Sequence, residues 1–207
     1  MVIDEQVRRE LLLMFTEDQE AWTAVLDLVA EDDAFAGEFR CQFEKGGGWD
    51  MGAIADWVEP PTVIATYQAV HRRNRRCFRD TVSKVGWPAR SRVGEDGADA
   101  AWVLLQHFGD VEFQEICLEL LLELPPAERD LKHYAFTFDL VCKVKGRVPR
   151  FGTMGLPVED EERLDDLRAT FDLPTLASQE SSRRAGLVVL PAGVGRQTPG
   201  FSWPEHS

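Results

Sequence analysis

The sequence has little of what metal and disulfide sites are made from. Its four cysteines, at positions 41, 77, 117 and 142, are far apart, and no C-x-x-C pair occurs. A zinc ribbon or thioredoxin-type site is therefore not expected, and the cysteines are predicted to be buried free thiols in a reducing compartment. The four histidines, at 71, 107, 133 and 206, show no H-x-x-x-H or H-E-x-x-H spacing, so no bound metal is predicted.

Long hydrophobic runs and an excess of basic residues are also missing. The longest apolar runs, residues 11–15 and 100–105, fall far short of the ~20 residues of a membrane span. The start of the chain becomes acidic at once and predicts no signal peptide, so we expect a cytoplasmic protein with no membrane partner. With 23 Lys and Arg against 36 Asp and Glu, the net charge is −13, which argues against a nucleic-acid partner.

Motifs for nucleotide binding and for nucleophilic hydrolysis are absent as well. No serine has a G-x-S-x-G context. The one glycine run, at 46–48, is followed by Trp49 and Asp50 rather than Lys and Ser or Thr, which indicates a flexible turn and no phosphate cradle. The sequence accordingly predicts no cofactor.

Apolar periodicity dominates what is present. Hydrophobic residues make up 44% of the 207 positions, a globular value. Spacings of three and four predict helices over about 4–30, 61–85, 98–108, 111–124, 127–140 and 159–171. Short β-branched runs on either side of Gly146 predict one β-hairpin near residues 141–151. The predicted fold is mainly α, a compact helical bundle with that single hairpin. Residues 1–176 form one domain, and residues 177–207 form an extended or partly disordered tail.

Polar residues interrupt two of the predicted apolar stripes. Asp18 lies in the middle of the first helix's stripe, where an unpaired carboxylate costs several kcal/mol. It is either a structural carboxylate that caps a helix or pairs an arginine, or a site carboxylate that faces a pocket. Asn74 has the same position in the 61–85 helix. In the structural interpretation, the Asn74 amide bridges two helices. In the functional interpretation, one polar pocket contains both Asp18 and Asn74.

The end of the 98–108 helix carries Gln106 and His107. A helix C-terminus favours the charged imidazole and raises its pKa. His107 is therefore either a satisfied structural histidine or a general acid and base.

An arginine cluster, Arg72, Arg75, Arg76 and Arg79, faces away from the stripe of the 61–85 helix. We expect it to meet acidic segments of the chain itself, such as residues 159–166, and binding of an anionic ligand is the alternative.

Taken together, these motifs resemble a bacterial family of unknown function. The resemblance lies in Gly86-Trp87-Pro88, Val93-Gly94, Ala98 to Trp102, Gln106-His107 and Phe113-Gln114, and it extends through Asp18, Asn74, Asp139, Gly152-Thr153 and Arg168. Where such families show Asp-Arg-Val and Gln-x-Tyr-Gly-Thr-Gln, this chain has Leu140, Pro149, Phe151 and Met154. These differences imply a more apolar pocket and a more hydrophobic ligand. The resemblance brings no established activity.

Two functions from different classes fit these residues. The first is a cofactor-independent acid–base enzyme that hydrolyses, eliminates from or isomerises a small molecule in an interhelical pocket. His107 moves the proton, and Asp18 or Asp139 orients the His107 ring or acts as the base. The ligand-binding residues are Asn74, Gln106, Gln19 and Thr153. The second is a non-catalytic small-ligand-binding or protein-interaction module, in which the same residues form a structural polar network. An acidic surface suits a basic protein partner, and the sequence is also compatible with a homodimer.

Overall fold

The structure, a computed structural model, describes residues 3–45, 54 and 57–184. The predicted glycine turn at 46–48 and residues 185–207 of the predicted tail lie outside this part of the chain. The chain divides into two compact units, Met1–Glu128 and Arg129–Ser207, where the sequence predicts one domain over residues 1–176.

Helices make up nearly all the regular structure that is described. The first unit contains α1 (Glu5–Glu31), α2 (Asp33–Lys45), α3 (Thr62–Val85), α4 (Arg90–His107), α5 (Val111–Glu123) and a 3₁₀ turn (Pro126–Glu128). The second unit contains α6 (Leu131–Val144), α7 (Leu164–Thr170) and α8 (Leu176–Arg184), the last of which occupies the start of the predicted tail. The mainly α prediction is confirmed. Among the residues described, no helix is long and apolar enough to cross a membrane.

Side chains set the starts of the helices. Asp4, Asp110 and Asp130 are the N-cap residues of α1, α5 and α6, and each carboxylate accepts a hydrogen bond from a backbone N–H in the first turn. Gly86 ends α3 with a φ of 73°, a conformation that glycine adopts without a steric cost. These signals are local in sequence, which is why the predicted boundaries of α1, α3 and α5 lie within a few residues of the observed ones.

The core of the first unit forms where α1 packs along α3 and α4. Leu11, Met14 and Val25 of α1 are buried, and so is nearly every residue of α4 from Gly97 to Leu105. Beside the core, Arg8 of α1 binds Asp96 of α4 in a bidentate ion pair, with N–O distances of 3.0 and 2.6 Å. The central position predicted for the 98–108 helix is confirmed.

The buried face of α3 matches the predicted stripe in part. Tyr67, Asn74 and Thr81 of that stripe are buried. In place of Val63, Val70 and Cys77, the buried residues are the ones that follow them, Ile64, His71 and Phe78. These are larger side chains, and their burial removes more area from water. Cys77 is exposed as a consequence.

The thiol prediction holds only in part. All four cysteines are free, but Cys41 and Cys77 are exposed, whereas Cys117 and Cys142 are buried. Burial raises the pKa of the Cys117 thiol to about 12, so this group is an inert core residue.

The predicted β-hairpin at residues 141–151 is wrong. The helix α6 continues through Val144, and no strand occurs in the described residues. Gly146, with a φ of 66°, ends this helix: its N–H binds the carbonyl of Lys143, and the N–H of Arg147 binds the carbonyl of Cys142. This pair of bonds is a Schellman motif, which needs the same left-handed glycine as many hairpin turns. Burial of Val141 and Cys142 outweighs the β preference of the valines.

A buried carboxylate organises the loop of the second unit. Asp139, which has no exposed surface, accepts hydrogen bonds from the backbone N–H groups of Arg150, Phe151 and Thr153 and from the Thr153 hydroxyl. On the other side of the loop, the buried guanidinium of Arg168 donates to the carbonyl of Phe151. Asp139 and Thr153 thus bind each other and fix the loop's path.

We expect Asp139→Asn to loosen this loop, because an amide places N–H donors against backbone donors. The free energy needed to open the loop should fall by about 3 kcal/mol, so the Phe151 and Thr153 amides should exchange their hydrogens roughly 100-fold faster. Hydrogen exchange followed by NMR measures both sites. Asp166→Asn, at an exposed position on α7, is the control and should change stability by less than about 0.5 kcal/mol. Unchanged exchange at Thr153 in Asp139→Asn would contradict the assignment.

Candidate functional site

A carboxylate without solvent contact lies at the centre of the first unit. Asp18 is 0% exposed, and one of its oxygens, Oδ2, accepts a hydrogen bond from His107 Nδ1 at 2.7 Å. Gln19 donates to the same oxygen at 3.1 Å. The other oxygen, Oδ1, is also buried and has no hydrogen-bond partner within residues 3–45, 54 and 57–184. Asp18 is therefore buried and paired with His107, as the sequence predicts, but only one of its oxygens is satisfied.

The end of α4 fixes the position of His107. The last carbonyls of a helix have no partner in the helix itself, and here side chains from two neighbouring helices supply donors. His71 of α3 binds the His107 carbonyl through Nε2 at 2.9 Å, and Gln114 of α5 binds the Leu105 carbonyl at 2.9 Å. The His107 ring is 23% exposed, so it connects buried Asp18 to the surface.

The buried histidine His71 is part of the site and was missed by the sequence reasoning. It is 1% exposed, and its ring lies between Tyr67 and Phe108, with ring centroids 5.7 and 5.5 Å away. Its bond to a carbonyl requires a proton on Nε2, which leaves Nδ1 as an acceptor in the neutral ring. A signal was available, because His71 is four residues after Tyr67 and three before Asn74, on the same helical face.

Electrostatics favour the charged forms of Asp18 and His107. Burial by itself lowers the pKa of His107, but the Asp18 charge and hydrogen bond outweigh it, so the pKa is raised above its usual value. Burial likewise opposes the ionised form of Asp18, yet the charge and hydrogen bond of His107 hold its pKa below the usual range. His71 behaves differently, since burial dominates and lowers its pKa. His71 is thus the neutral histidine and His107 the readily protonated one.

The remaining predicted residues have separate places. Asn74 links two helices, because its amide donates to the Met14 carbonyl of α1 at 2.9 Å and its oxygen accepts from Arg73. Gln106 is half-buried next to His107 in the last turn of α4. Asp139 and Thr153 bind each other in the second unit, and the carboxylate bonded to His107 is Asp18. The bridging interpretation of Asn74 is the one its contacts support.

Neither a metal site nor a known relative adds to this picture. In the described part of the chain, no three His, Cys, Asp or Glu side chains are placed to hold a metal ion. Comparisons with models of protein families, with curated proteins and with solved structures found no match to this chain.

The arrangement is suited to moving a proton. When His107 is neutral and donates its Nδ1–H to Asp18, the lone pair lies on Nε2, which has no hydrogen-bond partner among the described residues. Asp18 then fixes the tautomer and stabilises the imidazolium that forms when Nε2 takes up a proton. The tautomer and the charge are therefore set by one carboxylate that solvent does not reach.

We expect Asp18→Asn to lower the pKa of His107, because burial then acts without the opposing charge of Asp18. Two-dimensional ¹H–¹⁵N spectra of the histidine rings, recorded across pH, measure this value. Glu17→Gln is the matched control, since Glu17 is the adjacent carboxylate and pairs with Arg73 instead. A His107 pKa that is the same in Asp18→Asn and in the unmodified protein would contradict the pairing.

The pair also predicts how stability depends on pH. The raised pKa of His107 adds stability that is complete below ~6.5 and is lost as pH rises through the folded-state pKa. The lowered pKa of Asp18 adds stability that is complete above ~3.9 and is lost as pH falls through its folded-state pKa. The difference in unfolding free energy between the unmodified protein and Asp18→Asn should therefore be largest between these limits. Urea unfolding at a series of pH values measures it.

Proposed function

We propose that the first unit is a cofactor-independent acid–base enzyme that acts on a small molecule, with His107 as its proton-transfer group and Asp18 as the residue that orients it. The observation that carries the proposal is the contrast within one hydrogen-bonded pair. Asp18 is fully buried, while the ring of His107 reaches the surface. A carboxylate–imidazole pair with one open nitrogen is the arrangement that general acid–base catalysis requires.

In this proposal each group of the pair has one task. Neutral His107 accepts a proton from the substrate, or from a water that attacks it, through Nε2. The imidazolium then returns the proton to the leaving group or to another carbon of the substrate. Asp18 stays ionised throughout, since its pKa is held low by His107. Hydrolysis, elimination and isomerisation all use this cycle.

A second function is favoured by the contacts around the pair. His71, Gln19 and Asn74 each make hydrogen bonds that join or support α1, α3 and α4, as a structural network in a non-catalytic binding module would. In that case Asp18 and His107 hold the helices together, and loss of the pair costs stability but no turnover. The two functions therefore differ in what His107→Asn changes.

The test is to incubate the purified protein with a metabolite extract and follow the depletion of individual compounds by mass spectrometry. For any compound that the protein consumes, His107→Asn should reduce the rate by about 10²–10⁴-fold. Circular dichroism and thermal unfolding of the variant should show that it remains folded at the assay temperature. Asp18→Asn should also slow the reaction and shift the pH profile of kcat/KM to lower pH, because the His107 pKa falls.

A matched control distinguishes the loss of the catalytic pair from a general change in the protein's charge. Glu20→Gln removes an exposed carboxylate from the same helix as Asp18 and should leave the rate unchanged. An extract in which no compound changes, or a rate that His107→Asn does not alter, would overturn the enzyme proposal in favour of the binding module.

A further inference from the structure

The outer face of α3 forms a depression rich in guanidinium groups. Its volume is about 280 Å³, and its lining residues are Arg72, Arg75, Arg76, Arg79, Asp80 and Asp110. The basic residues of this lining are all arginines, whose planar fork binds phosphate and carboxylate groups through paired hydrogen bonds. Such a concentration of positive charge is unexpected in a chain with a net charge of −13.

The four arginines are not equally engaged. Arg79 is held in place, because it forms an ion pair with Asp110 and its guanidinium lies 4.8 Å from the centre of the Phe113 ring. Arg72 and Arg76 are exposed and have neither an ion pair nor a hydrogen bond with any residue whose side chain the structure describes. The depression thus combines one fixed guanidinium with two that have donors available.

Like charges at this spacing repel each other. Arg72 and Arg76, and likewise Arg75 and Arg79, are four residues apart on one helix, where equal charges destabilise the helix by roughly 0.2–0.5 kcal/mol per pair. An anion between the side chains turns this repulsion into attraction and uses their unfilled donors.

We propose that this depression binds a small phosphorylated metabolite, with its phosphate held by Arg72 and Arg76 against Arg79. A volume of about 280 Å³, just below the usual range for ligand pockets of ~300–1,000 Å³, is suited to a phosphate group on a small molecule. Asp110 is engaged with Arg79 and the Phe113 N–H, whereas Asp80, in the same lining, repels an extended polyanion and accepts hydrogen bonds from hydroxyl groups of a small ligand. The site uses neither His107 nor Asp18, so it stands independently of the proposed catalysis.

Isothermal titration calorimetry of the full chain with ribose 5-phosphate at about 0.15 M salt tests the proposal. Ribose and inorganic phosphate are titrated in parallel. We expect ribose 5-phosphate to bind more tightly than phosphate, and ribose to give no binding. The double variant Arg72→Gln/Arg76→Gln should weaken binding by at least about 10-fold, because charge-assisted hydrogen bonds are lost.

The matched control is Arg40→Gln/Arg92→Gln, which removes the same charge at two exposed positions outside the depression. It should change the affinity by less than about twofold, since distant surface charges are screened by salt. Equal weakening in both double variants, or no binding of ribose 5-phosphate, would overturn the proposal. It would also be overturned if a DNA duplex, or vesicles that contain a phosphoinositide, bound in an Arg72/Arg76-dependent way while ribose 5-phosphate did not.

Discussion

The hydrogen bond between Asp18 and His107 is the constraint on which the first unit depends. A carboxylate with no exposed surface is costly unless a partner balances its charge, and His107 is the partner that does so. The pairing requires α1 to present Asp18 opposite the last turn of α4. His71 of α3 and Gln114 of α5 fix this last turn of α4 by donating hydrogen bonds to its free carbonyls. The Asp18–His107 pair therefore helps to fix α1 against α4, together with the Arg8–Asp96 ion pair and the apolar core between the two helices.

Two carboxylates with no exposed surface, Asp18 and Asp139, differ in how their oxygens are bonded. Both Asp18 and Asp139 are 0% exposed. Both oxygens of Asp139 accept hydrogen bonds from the loop that follows it, so this group has no capacity left. Asp18 has a titratable partner on one oxygen and no described partner on the other. The same residue type thus closes a loop in the second unit and forms a titratable pair with His107 in the first.

Local signals explain which parts of the fold could be predicted from the sequence. The boundaries of α1, α3 and α5 follow from capping aspartates and from glycine and proline, which act within a few residues. Gly146 shows the limit of such signals, because a left-handed glycine serves a hairpin turn and a Schellman motif equally well. The choice between the two depends on how the neighbouring side chains pack. That packing involves residues far apart in the sequence, which local patterns do not show.

Prediction of the site met the same limit. Asp18 could be found because a charge in an apolar stripe must have a partner, and His107 because a helix terminus favours an imidazole. His71 was missed because the predicted stripe of α3 contained Val70 in its place. Neither the division into two units nor the loop that binds Asp139 has a signature in local periodicity, so the role of Asp139 as the centre of that loop could not be predicted.

The helix α3 joins the two candidate sites of the first unit through electrostatics. Its buried face presents His71 to the carbonyl of His107, and its outer face presents the arginines. The charge of Arg75 contributes, after burial, to the low pKa of His71. This charge is a small contribution beside burial, and the hydrogen bond from His71 to the His107 carbonyl does not depend on it. His71 donates its Nε2–H to the carbonyl of His107 whether the His71 ring is neutral or charged, so this bond at the end of α4 is present in both charge states. The last turn of α4, and with it the Asp18–His107 pair, is therefore held by a contact that a change of charge on the outer face of α3 does not break.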